Sequence, residues 1–245
     1  MEHKSVLLKE SIENLNIKED GIYVDGTLGR AGHSSEILKK LTSGHLYCFD
    51  IDEQAIEKSD AILKKISNNY TIIKANFTSI KEELYKFEID KVDGILLDIG
   101  VSSPQFDDPE RGFSYRYDTR LDMRMDQSQS LDAYQIVNEY EFNDLFRVLR
   151  NYGEEKYAKE IARAIEKQRL ISPIETTGQL VDLIKSVLPA KVLRKKGHPA
   201  KQSFQALRIE VNNELENLKI ATKKAIELLK PKGRCVIITF HSLED

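Results

Sequence analysis

The sequence predicts an α/β fold: a parallel, doubly wound sheet carrying a helical insertion. Short apolar, β-favouring runs alternate with stretches of helical periodicity as far as Asp98. A glycine-spaced loop follows the first of these runs directly, as a tight turn from a strand into a helix requires. After an irregular stretch that ends at Gln127, helical patterns from Leu131 to Leu188 follow one another with no strand signal, and a last strand pattern comes only near the end. The expected division is therefore an α/β domain at 1–106 and 203–245, with a helical insertion at 107–202.

The first strand is the apolar run 21–24, and the loop after it places glycines at positions 26, 29 and 32. Glycine lets main-chain N–H groups come close to a ligand, and the helix start at Ser34 adds partial positive charge, so an anionic or nucleotide-like ligand is expected there. The spacing spells neither G-x-G-x-x-G nor a P-loop, and a plain glycine-rich connection is the alternative. A second strand, 45–49, runs into Asp50-Ile51-Asp52 and a helix at 53–66. Asp50 sits where doubly wound folds place the carboxylate that binds ribose hydroxyls, whereas Asp52 directly precedes the helical pattern and suits an N-cap. Strands at 70–74 and 92–98 end before Phe77 and at Asp98. Parallel strands bind ligands at their carboxyl ends, so the glycine loop, Asp50, Phe77 and Asp98 converge on one expected site. For Phe77, plain core packing is the alternative.

From Gly100 to Gln127 the chain is polar and irregular. Phe113, Tyr115 and Tyr117 alternate with Arg111, Arg116, Arg120 and Arg124, a pattern suited to stacking on bases and pairing with phosphates. Interspersed aspartates make a self-paired surface loop the alternative. Helices are expected at 131–140 capped by Ser130, 144–150 capped by Asn143, 154–168, and 178–188 capped by Thr177. The segment Lys191 to Lys201 is the most basic of the chain, and Arg194, Lys195, Lys196, His198 and Lys201 form either a phosphate-binding patch or a solvated loop. A long helix at 203–229 and a fifth strand at 235–240 close the sequence.

With 245 residues, 40% of them hydrophobic, the chain can bury the core of a large domain, and no apolar run reaches the ~20 residues of a membrane span. There is no signal-peptide pattern, and a soluble, cytoplasmic protein is expected. Cys48 and Cys235 lie inside strand patterns as small hydrophobes, and the five histidines have no zinc-site spacing, so no metal is expected. A formal net charge of −3 confines any nucleic-acid contact to a local patch.

A nucleotide-like ligand without catalytic cysteine, serine triad or metal cluster leaves reactions whose chemistry the cofactor carries. The glycine spacing disfavours nicotinamide, and Asp98-Ile99-Gly100-Val101 stands where an acidic strand-end motif holds an acceptor amine beside a methyl donor. Asp98, with Ser102 and Ser103 just beyond it, is the expected catalytic segment.

The chain resembles the bacterial RsmH/MraW family of S-adenosylmethionine-dependent methyltransferases. The resemblance spans nearly its whole length, through G-V-S-S-P-Q at 100–105, L-D-M-R-M at 121–125, H-P-A-K at 198–201 and F-H-S-L-E-D at 240–245. It implies a class I (Rossmann-like) methyltransferase sheet with an inserted helical domain, and methylation of N4 of a decoding-centre cytosine in 16S ribosomal RNA. It further implies that Ala31, Gly32, His33, Asp50, Phe77, Asp98 and Gln105 line the S-adenosylmethionine site, with Asp50 on the ribose and Phe77 on the adenine face. Family members usually continue past F-H-S-L-E-D, so an exposed fifth strand is expected to pair with a second copy as a homodimer or to lower stability. A methyltransferase acting on a small molecule or protein, and a non-catalytic cofactor- or RNA-binding module, are the rival readings.

Overall fold

Five strands pair in parallel in the order β3-β2-β1-β4-β5: β1 (Ile22–Asp25), β2 (His45–Asp50), β3 (Tyr70–Lys74), β4 (Val92–Asp98) and β5 (Leu229–Ile238). The computed structural model describes residues 5–100 and 106–245. It divides the chain into an α/β unit, Met1–Gly100 with Leu215–Asp245, and a helical unit, Val101–Glu214.

Side chains alternate across the sheet, and both of its faces are buried. Tyr23, Leu46, Cys48 and Leu96 face one core, where Ile12 and Leu15 of α1 (Leu8–Leu15) and Ile37 and Leu38 of α2 (Gly32–Leu38) cover them. Val24, Tyr47, Phe49, Ile95 and Leu97 face the other, covered by Ile80 and Leu84 of the helix Ile80–Tyr85 and by Ala221, Ala225 and Leu228 of the helix Glu214–Leu228. Apolar residues on both sides are why the strands read as unbroken hydrophobic runs, the mark of a parallel sheet under helices. Asp93 ties the sheet together at its opposite end: its carboxylate accepts the Ile22 N–H at 3.0 Å and the amino groups of Lys18 at 3.1 Å and Lys230 at 2.7 Å.

Several sequence expectations shift. The long helix expected at 203–229 is two helices, Lys201–Asn212 and Glu214–Leu228, because Asn213 turns left-handed at φ 50° and ends the first. The first of the two packs its Phe204, Leu207 and Val211 into the helical core, so residues 203–214 belong to the helical unit and not to the α/β domain where the sequence had placed them. The fifth strand begins at Leu229, with a bulge opposite Val92–Gly94, and ends at Ile238 short of Phe240. Asp132, not Ser130, caps the helix Ala133–Glu139 through a reciprocal box with Gln135. Thr176, not Thr177, does the same for Thr177–Val187 with Gln179.

The stretch from Arg111 to Gln127 is irregular in backbone but not a surface loop. Phe113, Leu121 and Met123 are buried in the helical core beside Ile136, Leu145 and Ile161. Gly112, at φ 70°, lets the chain double back where a Cβ would meet the Arg120 carbonyl at 2.5 Å.

Candidate functional site

In the α/β unit, β1, β2 and β4 end in aspartates, Asp25, Asp50 and Asp98, and β3 runs out just before Phe77. A parallel sheet puts all four ends on one edge. The chain crosses that edge from Asp25 to α2 in a tight loop: Leu28 N–H bonds the Phe49 carbonyl at 2.9 Å and Ala31 N–H bonds the Leu28 carbonyl at 2.8 Å. Gly29 and Ala31 both take left-handed backbone, φ 49° and 57°, a conformation that costs a residue with a Cβ about 1 kcal/mol and that here turns the chain into the helix. A side chain at Gly32 would collide with Ser5 Oγ, and a Cβ at Gly26 would meet Phe77 Cβ at 3.2 Å.

Asp50 anchors this loop. Its Oδ2 accepts the Gly29 N–H at 2.8 Å and its Oδ1 the Asp52 N–H at 2.9 Å. Burial raises its carboxyl above the ordinary aspartate range, while these N–H groups favour the anion. A carboxylate oxygen can accept a second hydrogen bond, so this pair of acceptors fits a ligand with adjacent hydroxyl groups, such as a ribose. Asp52 caps the helix Glu53–Leu63, as its position before the helical pattern predicts. Phe77, partly buried, opens a turn of 3-10 helix capped by Asn76 and packs beside Gly26, leaving an aromatic surface at the end of β3.

Asp25, which the sequence analysis did not single out, is fully buried. It accepts hydrogen bonds from Ser34 Oγ at 2.6 Å and from Thr27 N–H at 3.0 Å, and Thr27 Oγ1 in turn accepts the Asp98 N–H at 2.7 Å. Burial pushes the Asp25 carboxyl up. Asp98 is also raised, first by burial and further by the charges of Asp25 and Glu244, while His33 and the Gly100 N–H favour its anion. His33 is 5% exposed, with Nδ1 3.8 Å from Asp98 Oδ2. The signal for Asp25 was present in the sequence, an aspartate at a strand end with a hydroxyl residue two positions on, the pattern of a local Asx turn. Glu244 was legible only as part of the terminal motif. In the structure it accepts the Phe240 N–H at 2.7 Å and so folds the chain end over Gly100, where a Cβ would meet the Phe240 ring.

Ala31, Gly32, His33, Asp50, Phe77 and Asp98 are thus all on or beside one edge of the sheet. Ser102, Ser103 and Gln105 lie outside the described residues.

Of the cations expected to meet RNA, two are committed to the interior of the helical unit. The Arg111 guanidinium, 9% exposed, donates to the carbonyls of Arg124 at 2.9 Å and Met125 at 3.0 Å. Arg124 grips Asp122 with two bonds of 2.9 and 2.7 Å and donates to the carbonyls of Gln127 and Gln129. Both hold the irregular segment in place and cannot also be free phosphate contacts, which corrects that expectation. The His198 ring stacks on Tyr115 with centroids 4.1 Å apart, its Nδ1 accepts the Ala200 N–H, and burial with the nearby Lys185 charge lowers its pKa. Arg116, Arg194, Lys195, Lys196 and Lys201 are exposed. A pocket of about 220 Å³ lies beside Arg116, between Phe106, Ser114, Tyr115 and Tyr117.

Among the described residues, no helix is long and apolar enough to cross a membrane. Cys48 and Cys235 are free thiols, and burial pushes Cys235 up to about 11, so neither is poised as a nucleophile.

A family model described as the MraW methylase family matches residues 1–245. The ribosomal RNA small subunit methyltransferase H of Exiguobacterium sibiricum is 59% identical over 244 residues, covering 100% of this chain and 78% of that protein. The protein of the same name from Mesoplasma florum is likewise 59% identical over 244 residues, 99% of this chain and 78% of its own. Among solved structures, an rRNA methylase from Streptococcus thermophilus aligns with a TM-score of 0.31 at 22% identity, over 38% of this chain and 52% of that one.

Proposed function

This chain belongs to the MraW methylase family, and from that premise we infer that it transfers a methyl group from S-adenosylmethionine to ribosomal RNA of the small subunit. The finer reading is that the acceptor is N4 of a decoding-centre cytosine in 16S ribosomal RNA. The observation that carries it is the pairing of two partly buried strand-end carboxylates, Asp50 and Asp98, on either side of the glycine loop.

The residues present fit the cofactor. Asp50 is preorganised by two main-chain N–H groups to accept ribose hydroxyls, Phe77 offers a ring for adenine, and the Ala31–His33 turn brings main chain close to a ligand. When bound, S-adenosylmethionine supplies a methyl group made electrophilic by a positively charged sulfur. The chain's own contribution falls to Asp98. The cytosine amine is a poor nucleophile because its lone pair is delocalised into the ring. A carboxylate that accepts its N–H favours the pyramidal form and stabilises the positive charge that develops on nitrogen. Asp98 is suited to this because the Thr27 hydroxyl fixes its main chain and burial keeps water from competing. Gln105, Ser102 and Ser103 join the proposed site through the family resemblance.

Arg116, Arg194, Lys195, Lys196 and Lys201 supply phosphate contacts on the helical unit, and the exposed Tyr117 supplies a stacking surface. A small-molecule or protein acceptor would need none of them. The small ribosomal subunit is the proposed setting, the cytoplasm the proposed location, and self-association through β5 a proposal that sedimentation tests. Offering labelled S-adenosylmethionine with ribosomal RNA, small subunits, protein or metabolite fractions tests the main reading. Label in small-subunit RNA is expected; label confined to protein or small molecules, or incorporated nowhere, would overturn it.

A further inference from the structure

We propose that His33 is the terminal acceptor of the proton released on methylation: the acceptor nitrogen passes it to Asp98, and Asp98 hands it to Nδ1 of His33. This rests on the methyltransferase reading above and assigns His33 a task separate from lining the cofactor.

The geometry has three parts. First, the imidazole is held in one tautomer: its Nε2 lies 3.1 Å from the Val6 carbonyl, which can only accept, so Nε2 carries the proton and Nδ1 the lone pair. Second, Nδ1 faces the carboxylate, 3.8 Å from Asp98 Oδ2, with the imidazole only 5% exposed, so solvent is a poor competitor for the proton. Third, Asp98 is itself fixed: its N–H bonds Thr27 Oγ1 at 2.7 Å, and that hydroxyl lies 3.4 Å from Asp25 Oδ1. The charged groups acting on the pair come from three elements, Asp25 at the end of β1, Glu244 in the terminal turn and His33 at the start of α2.

The balance is as follows. The acceptor nitrogen bonds the methyl carbon with its lone pair, the electron pair of the broken C–S bond stays on sulfur, and the nitrogen, now carrying a surplus proton, loses one N–H proton to an Asp98 oxygen. A protonated Asp98 could not accept a hydrogen bond from the next amine. Transfer of the proton to Nδ1 restores the carboxylate and leaves an imidazolium–carboxylate pair, whose surplus proton then passes to water. Asp98 touches the acceptor and is catalytic; His33 acts through it and is a positioning residue.

His33→Gln retains an amide N–H for the Val6 carbonyl but has nothing to titrate. At saturating cofactor its single-turnover rate should fall on the order of 100-fold, the usual scale of general acid–base assistance. Cofactor affinity, measured by calorimetry, sets the concentration at which both proteins are saturated, so that the two rates compare the chemical step. A second readout needs no turnover. In ¹⁵N NMR spectra of the cofactor-free protein, the neutral His33 ring should carry its proton on Nε2 and leave the lone pair on Nδ1, as the Val6 carbonyl requires. An unchanged rate in His33→Gln, or a neutral ring protonated on Nδ1 instead of Nε2, would overturn the proposal while leaving the methyltransferase reading intact. Failure of the wild type to methylate any acceptor would overturn that reading and this step with it.

Discussion

Replacing Asp50 with alanine removes the acceptor for two main-chain N–H groups, those of Gly29 at 2.8 Å and Asp52 at 2.9 Å. In the cofactor-free protein the site is only partly enclosed, so water can take over part of this role, and the loss of stability should be about 1–2 kcal/mol. Cofactor binding loses more, because a ribose hydroxyl gives up a bond to a carboxylate, worth about 1.5–3 kcal/mol. At about 1.4 kcal/mol per tenfold, Kd should rise roughly 10- to 150-fold. Burial raises the Asp50 carboxyl, so it takes up its proton at higher pH than a free aspartate. Wild-type affinity should therefore weaken as pH falls through that raised value, and Asp50→Ala should lack this dependence. Calorimetry with S-adenosylmethionine across mildly acidic to neutral pH, with thermal unfolding of the same samples, separates the two effects. A variant that loses stability yet binds the cofactor with wild-type affinity would refute the assignment of Asp50 to the ribose.

Arg111→Ala and Arg124→Ala should each destabilise the protein by about 2–3 kcal/mol in chemical denaturation, since they strand buried carbonyls or Asp122, while the salt dependence of RNA binding stays unchanged; a changed salt slope in a fully stable variant would contradict this. Reversing Lys195 and Lys196 to glutamate should have the opposite profile, little change in stability and a slope of log K against log salt flatter by about two units. An identical slope would return the basic run to a solvated loop. Asp25 is buried with its carboxyl pushed up, so its contribution to stability is full below the unfolded value of about 3.9 and is lost as pH rises through the folded one. The thermal midpoint of Asp25→Asn relative to wild type should accordingly climb from pH 4 to pH 7, and a flat or falling difference would show that the carboxylate's bonds to Thr27 and Ser34 outweigh its burial.

Much of the α/β unit was legible because parallel strands under helices on both faces leave unbroken apolar runs, and because glycine and aspartate mark the strand ends. Asp50 and Asp98 could be picked out on those grounds alone. The irregular segment after Arg111 misled for a physical reason: Phe113, Leu121 and Met123 are core residues on backbone with no period, so neither a helical nor a strand pattern reveals them. Its arginines then read as surface charge, although two of them satisfy main-chain carbonyls inside the unit. The break at Asn213 left no trace in the apolar periodicity, since both flanking helices bury apolar faces and asparagine is among the few residues that enter left-handed backbone cheaply. For Asp25 the sequence holds only the local sign of Thr27 two positions on, since its second partner, Ser34, comes within reach only once the loop is folded.

The account rests on Asp98 meeting an exocyclic amine of ribosomal RNA, and nucleoside analysis of the methylated product addresses this most directly. Small-subunit RNA would be incubated with labelled S-adenosylmethionine and either the wild-type protein or Asp98→Ala, each at saturating cofactor, then digested to nucleosides. The account predicts label in N4-methylcytidine from a single site, with turnover by Asp98→Ala reduced far beyond any change in cofactor affinity. Label on a ring carbon or a ribose, or an Asp98→Ala variant that turns over as fast as the wild type, would contradict it.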